Sequence, residues 1–194
     1  AKQYGLYGKF NIIFAGLMGY SQGLDIIPKA ADMLKDHSDI QFVLIGDGTE
    51  VSRLKDTVEK MKLENVLFTP RKPMNQIGKF LNLADALLVH LAKDPLFDIT
   101  IPSKTQAYLY AGKPILMGIK GDAARMVSDA RTGTLFEPEN ASSLVRAVET
   151  LYNMSPEQRQ SMGQNGKMYY QENLSADKGV SRTLRLLEKC AAQQ

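Results

Sequence analysis

FNIIFAGLMGYSQGLDIIPKAADMLKDHSDIQFVLIGDG, running from Phe10 to Gly48, decides the fold. It opens on FNIIFAG, a short apolar run with β-branched residues, the signature of a strand covered on both faces. A loop spaced by Gly16, Gly19 and Gly23 follows. Leu24, Ile27, Ala31 and Leu34 then fall on one helical face. Pro28 is compatible with that helix only if it begins near Asp25, which leaves the ring in the first turn. QFVLIGDG reads as a second buried strand, ending in a turn whose Asp can bond its own backbone. Strand, helix and strand in this order imply a right-handed crossover in a parallel sheet.

The pattern continues outward from that unit. Val51, Leu54, Val58 and Met61 form an apolar helix face, NVLFTP (Asn65 to Pro70) a third strand, and Asn75 to Leu83 a brief helix. ADALLVHL (Ala84 to Leu91), PILMG (Pro114 to Gly118) and GTLFEP (Gly133 to Pro138) supply three more strands, with a short helix from Asp122 to Ala130. Asn140 caps a helix that turns Leu144, Val148 and Leu151 inward, and Ser155-Pro156 with Gln158 marks another helix start. A last helix from Ser175 to Cys190 carries Val180, Leu184 and Leu187 on one side. The expectation is a Rossmann-like, doubly wound parallel α/β sheet of six strands, a single domain over residues 1–194.

Composition narrows the function. The 194 residues are 44% hydrophobic and 23% charged, enough for a sizeable core, and no apolar run reaches membrane-spanning length. With no apolar signal segment at the start, the chain reads as cytoplasmic. A lone cysteine, Cys190, excludes a disulfide framework and a cysteine metal site; two histidines, His37 and His90, exclude a multi-histidine cluster. A formal charge of +3, with acids and bases interleaved, argues against nucleic acid and leaves small anions open.

In doubly wound sheets ligands sit beyond the carboxyl ends of the strands. Four loops should therefore crowd one edge: Gly16 to Gly23, Gly46 to Gly48, Pro70 to Pro73 and His90 to Lys104. The last leads into FDITIPSKTQAYLYAGKPIL, Phe97 to Leu116. There Ser103 and Gln106 have capping-box spacing, Gly112 suits a left-handed helix end, and Pro114 prevents continuation. Lys104 in the first turn opposes the helix dipole, a conflict that a bound phosphate or diphosphate would resolve. The alternative is a capped surface helix with an incidental lysine.

The other loops are less specific. GLMGYSQG is neither a dinucleotide fingerprint nor a P-loop, and its glycines either admit a ligand or make a tight turn. His90, followed by Asp94 and Asp98, is a hydrogen-bond donor or proton carrier, or else a histidine satisfied by its neighbours. Arg71 could stack on a base, and Lys72 reads as solvated.

Together these loops resemble the C-terminal, donor-binding domain of family 4 retaining glycosyltransferases of the GT-B fold. FVLIGDGTEVSRLKDTVEKMKLENVLFTPRKPMNQIGKFLNLADALLV is similar to that family's strand, GxG turn, helix and two following strands. IPSKTQAYLYAGKPIL is similar to its segment ending in A-G-x-P, and the chain from Gly133 to Gly166 to its closing stretch. GLMGYSQGL with IPSK is closest to members that build bacterial surface polysaccharides such as O-antigen, capsule or colanic acid.

The resemblance implies a nucleotide-sugar donor, UDP-linked by expectation, and sugar transfer without a metal or other cofactor. It implies a phosphate loop at Gly16 and Gly19, diphosphate contacts from Ser103 and Lys104, and a base region at Arg71 and Lys72. Lys104 becomes the candidate catalytic cation for the leaving diphosphate. Two family cations are replaced here by Leu17 and Gln22. The family's glutamate pair falls at Ile99 and Ala107, while Asp98 and Gln106, one position earlier, keep the spacing with polar groups. His90 completes the donor-binding candidates. An N-terminal acceptor domain and a lipid-linked acceptor at the inner membrane face are the further partners implied, and the chain alone would not transfer sugar. A stand-alone nucleotide-sugar or phosphate-ligand binding module and half of a UDP-sugar 2-epimerase are the other readings.

Overall fold

Continuous apolar runs form strands here because both faces of each strand are covered. The computed structural model describes residues 1–192. The chain runs β1 (Phe10–Leu17), α1 (Ile26–Met33), β2 (Ile40–Asp47), α2 (Val51–Lys60), β3 (Val66–Pro70), α3 (Met74–Leu81), β4 (Ala86–His90), α4 (Pro95–Asp98) and α5 (Ser103–Ala111). It continues with β5 (Ile115–Gly118), α6 (Gly121–Asp129), β6 (Gly133–Leu135), α7 (Ala141–Tyr152), α8 (Pro156–Asn173) and α9 (Ala176–Ala191). The six strands pair in parallel in the order β3-β2-β1-β4-β5-β6. This is the doubly wound Rossmann-like sheet, and the order reverses between β1 and β4.

Alternate residues of each strand feed two cores. Ile12, Phe14, Phe42, Leu44 and Leu88 pack against Ile27 and Leu34 of the α1 segment, Leu54 of α2, and Val148 and Leu151 of α7. Ile13, Val43, Val89 and Met117 pack on the opposite face against Phe80 of α3, Leu109 of α5 and Val127 of α6. Each such side chain contributes about 1.5 to 3 kcal/mol on burial, so the two layers account for most of the fold's stabilisation.

The caps expected at Asn140 and Ser155 form: Asn140 accepts from the Ser143 N–H, and Ser155 with Gln158 makes a full capping box. The capping box expected at Ser103 does not. Pro102, extended at ψ 138, is the residue before the helix, and Ser103 already lies within α5, so its hydroxyl is not at the capping position. Gly112 closes that helix in the left-handed conformation, as expected.

Three packing expectations change. Met61 lies beyond the end of α2 and is exposed, because only Leu54 and Val58 face the sheet fully. The loop after β4 contains the short helix α4, capped by Asp94, whose side chain accepts from the Leu96 N–H. Val180, Leu184 and Leu187 share one side of α9 but are more than half exposed, since among the described residues α9 packs chiefly on α8. Among the described residues, no helix is long and apolar enough to cross a membrane.

Candidate functional site

The site begins as a split in the sheet. β1 pairs with β2 over eight residues, from Phe10–Ile40 to Leu17–Asp47, but with β4 only at Ile12–Ala86 and Ile13–Leu87. Past Ile13 the backbone of β1 loses its β4 partner. Tyr108 of α5, fully buried, fills the gap: its hydroxyl accepts from the Ala15 N–H at 2.8 Å and donates to the Ala15 carbonyl at 3.2 Å. Burial drives the phenol pKa upward, which keeps it neutral and able to do both.

One helical turn toward the carboxyl edge, Lys104 crosses this opening. It passes directly over Gly16, where a Cβ would be in ordinary contact with Nζ at 3.6 Å, and the φ of 149° there is what favours glycine. The ammonium sits 3.9 Å from the centre of the Phe14 ring and donates to Gln22 Oε1 at 2.5 Å. Burial lowers its pKa from 10.5 to about 7, because neither ring nor amide supplies the full negative charge that would compensate desolvation. A partly buried cation held by neutral groups at a helix N-terminus suits a phosphate or diphosphate.

Gln22 is fixed from the other side. His90, at the end of β4, is wholly buried, with Nδ1 2.7 Å from the Gln22 carbonyl and Nε2 2.9 Å from the Glu139 amide nitrogen. The carbonyl can only accept and the amide can only donate, so Nδ1 carries the proton and Nε2 accepts. The ring stacks on Phe136 at 5.8 Å and 8°, and burial depresses its pKa to about 4. Of the alternatives open from sequence, His90 is therefore the histidine satisfied by its neighbours.

The remaining candidates are dispersed. Arg71 is exposed and lines a cavity of about 370 Å³ with Met18, Gly46, Asp47 and Phe68. Lys72 is not simply solvated: its Nζ lies 5.5 Å from the Tyr4 ring and 5.2 Å from the Phe80 ring, because that aromatic pair offers a cation–π seat. Asp98, on α4, lines a separate cavity of about 250 Å³ with Asp94 and Lys120. Ser103 and Gln106 are exposed on α5, and Gly19 precedes the short 3₁₀ turn Tyr20–Gln22. Asp47 bonds its own backbone through the Gly48 N–H at 2.8 Å, as the GDG turn implied.

Sequence reading missed Tyr108, Phe14 and Glu139. Tyr108 could have been found, with Thr105, as a polar side chain on the buried face of α5; nothing local distinguishes Phe14 or Glu139.

A split parallel sheet with a helix N-terminus and a cation at its switch point defines a ligand-binding α/β domain of the kind found as half of a GT-B glycosyltransferase. The family described as Glycosyl transferases group 1 matches residues 2–169, and the chain belongs to it. An uncharacterised glycosyltransferase of Methanocaldococcus jannaschii is 26% identical over 163 residues, 84% of this chain and 44% of that protein. A putative colanic acid biosynthesis glycosyl transferase of Escherichia coli is 27% identical over 140 residues, 71% of this chain and 34% of that protein. The crystal structure of Anabaena HepE in complex with UDP aligns with a TM-score of 0.82 at 16% identity, covering 98% of this chain and 51% of that one. The chain thus spans about a third to a half of the length of the relatives it matches.

Proposed function

We propose that this chain is the nucleotide-sugar binding half of a retaining, family 4 glycosyltransferase that adds a sugar to a growing surface polysaccharide or lipid-linked oligosaccharide. The observation that carries this reading is Lys104, placed across the opening between β1 and β4 at the N-terminus of α5. The family membership, the UDP complex of HepE and the colanic acid relative support donor class and pathway type.

In the transfer, the bond from the anomeric carbon to the diphosphate oxygen breaks as a bond to the acceptor hydroxyl oxygen forms on the same face, and the hydroxyl proton passes to the departing diphosphate oxygen. Negative charge grows on the departing diphosphate. Lys104 and the free N–H groups of the first turn of α5 stabilise that charge without a metal. Ser103, the first residue of α5, adds a hydroxyl there. The acceptor binds to a part of the intact enzyme outside this chain, on the cytoplasmic face of the membrane.

Isothermal calorimetry tests the reading. UDP binds in preference to GDP and ADP, and Lys104→Ala weakens UDP binding by about 1.5 to 3 kcal/mol, the worth of a charge-assisted contact. Equal UDP affinity in both proteins removes Lys104 from the site.

A further inference from the structure

The glycines around His90 form a slot shaped to its ring. A Cβ on Gly23 would come within 2.9 Å of His90 Cε1, and one on Gly118 within 2.6 Å of Cδ2 and 2.2 Å of Phe136. The imidazole is thus gripped between the β1–α1 loop and β5. Its two nitrogens tie the backbone of Gln22 to that of Glu139, which has the left-handed φ of 55° before α7. The side chain of the same Gln22 holds Lys104. Four carboxyl-edge segments therefore meet in one chain of contacts: Glu139, His90, Gln22, Lys104.

We infer that Gln22, clamped through its backbone by His90, is the positioning residue that aims Lys104 at the donor diphosphate. This rests on the reading of Lys104 as the diphosphate cation. The chemistry of the amide explains why a glutamine suits the place. A partly buried ammonium with no acceptor swings toward water, losing its aim. A carboxylate would hold it but cancel the charge that an anion needs. A neutral amide oxygen holds the ammonium and leaves its charge available. His90, proton fixed on Nδ1, does the equivalent for the loop: it anchors the Gln22 carbonyl without adding charge.

The test is calorimetric titration with UDP and with uridine, which lacks the diphosphate, on single and double variants. Gln22→Leu weakens UDP binding roughly three- to tenfold, the range of one hydrogen bond, and leaves uridine binding unchanged. Gln22→Glu keeps the geometry but weakens UDP binding further. In a Lys104→Ala background Gln22→Leu has no further effect, because the coupling runs through the ammonium. His90→Leu reproduces the selective loss of UDP affinity, and His90→Asn, which can still offer an N–H to the Gln22 carbonyl, restores most of it.

Gln22 is half-buried and belongs to neither hydrophobic core, so its variants keep the core intact and decide the matter even if a His90 variant fails to fold. Unchanged or tighter UDP binding in Gln22→Leu overturns the inference, as does a loss that persists undiminished in the Lys104→Ala background. If Lys104→Ala alone leaves UDP affinity unchanged, it is the diphosphate reading itself that fails.

Discussion

β1 has two unlike flanks. On the β2 side the ladder runs unbroken for eight residue pairs to the carboxyl edge; on the β4 side it stops after two. The first flank is closed by an absence of side chains and the second is held open by their presence. Gly46, at φ 152°, lets the backbone of β2 approach Gly16 so closely that a Cβ would lie 1.9 Å from the Gly16 carbonyl oxygen. On the other flank Tyr108 takes over the hydrogen bonds that β4 no longer makes, and His90 and Gln22 anchor the loop above. An opening in a doubly wound sheet thus needs specific partners for the backbone it exposes, since orphaned buried amides are costly. The closed flank needs only room.

The contrast can be broken from either side. Gly46→Ala should have the largest effect: a strained φ and a forced backbone shift cost about 3 to 4 kcal/mol, read from urea unfolding. A smaller effect on the open flank comes from pH. The folded pKa of His90, about 4, lies below the ordinary 6.5, so the unfolded chain binds the proton first as pH falls. The contribution of His90 is fully present above about pH 6.5 and is lost as pH drops through 4, on the order of 3 kcal/mol. Thermal unfolding followed across that window should show the decline, and His90→Asn should flatten it. Smallest is Tyr108→Phe, which leaves the Ala15 amide and carbonyl unpaired and lowers stability by about 1 to 2 kcal/mol. Faster hydrogen exchange at the Ala15 amide would sharpen the comparison by localising the loss to the open flank.

Much of this was legible beforehand. Apolar runs bounded by glycine and proline located all six strands, and the carboxyl-end rule brought the right loops to one edge. The Lys104 helix was legible because a cation in a first turn contradicts the dipole. Its start was misplaced: Ser103 and Gln106 have the spacing of a capping box, but Pro102 makes the extended-to-helical transition one residue earlier. α9 misled in another way. Its periodicity correctly placed Val180, Leu184 and Leu187 on one side, yet periodicity says nothing of whether a partner covers that side. Lys72, a base-region candidate by resemblance, is seated over Tyr4 and Phe80, and His90, a candidate by its place at a strand end, binds two backbone groups.

What the sequence determined alone was the succession of strands and helices, because periodicity and turn residues act over a few neighbours. It also placed Lys104 in the first turn of a helix that begins at the carboxyl edge of the sheet. The tertiary structure decided which strands adjoin, where the sheet splits, and how Lys104, Gln22, His90 and Glu139 come to meet. Those contacts join residues as many as 82 positions apart, and their partners are selected by packing on two sheet faces, for which no local pattern exists.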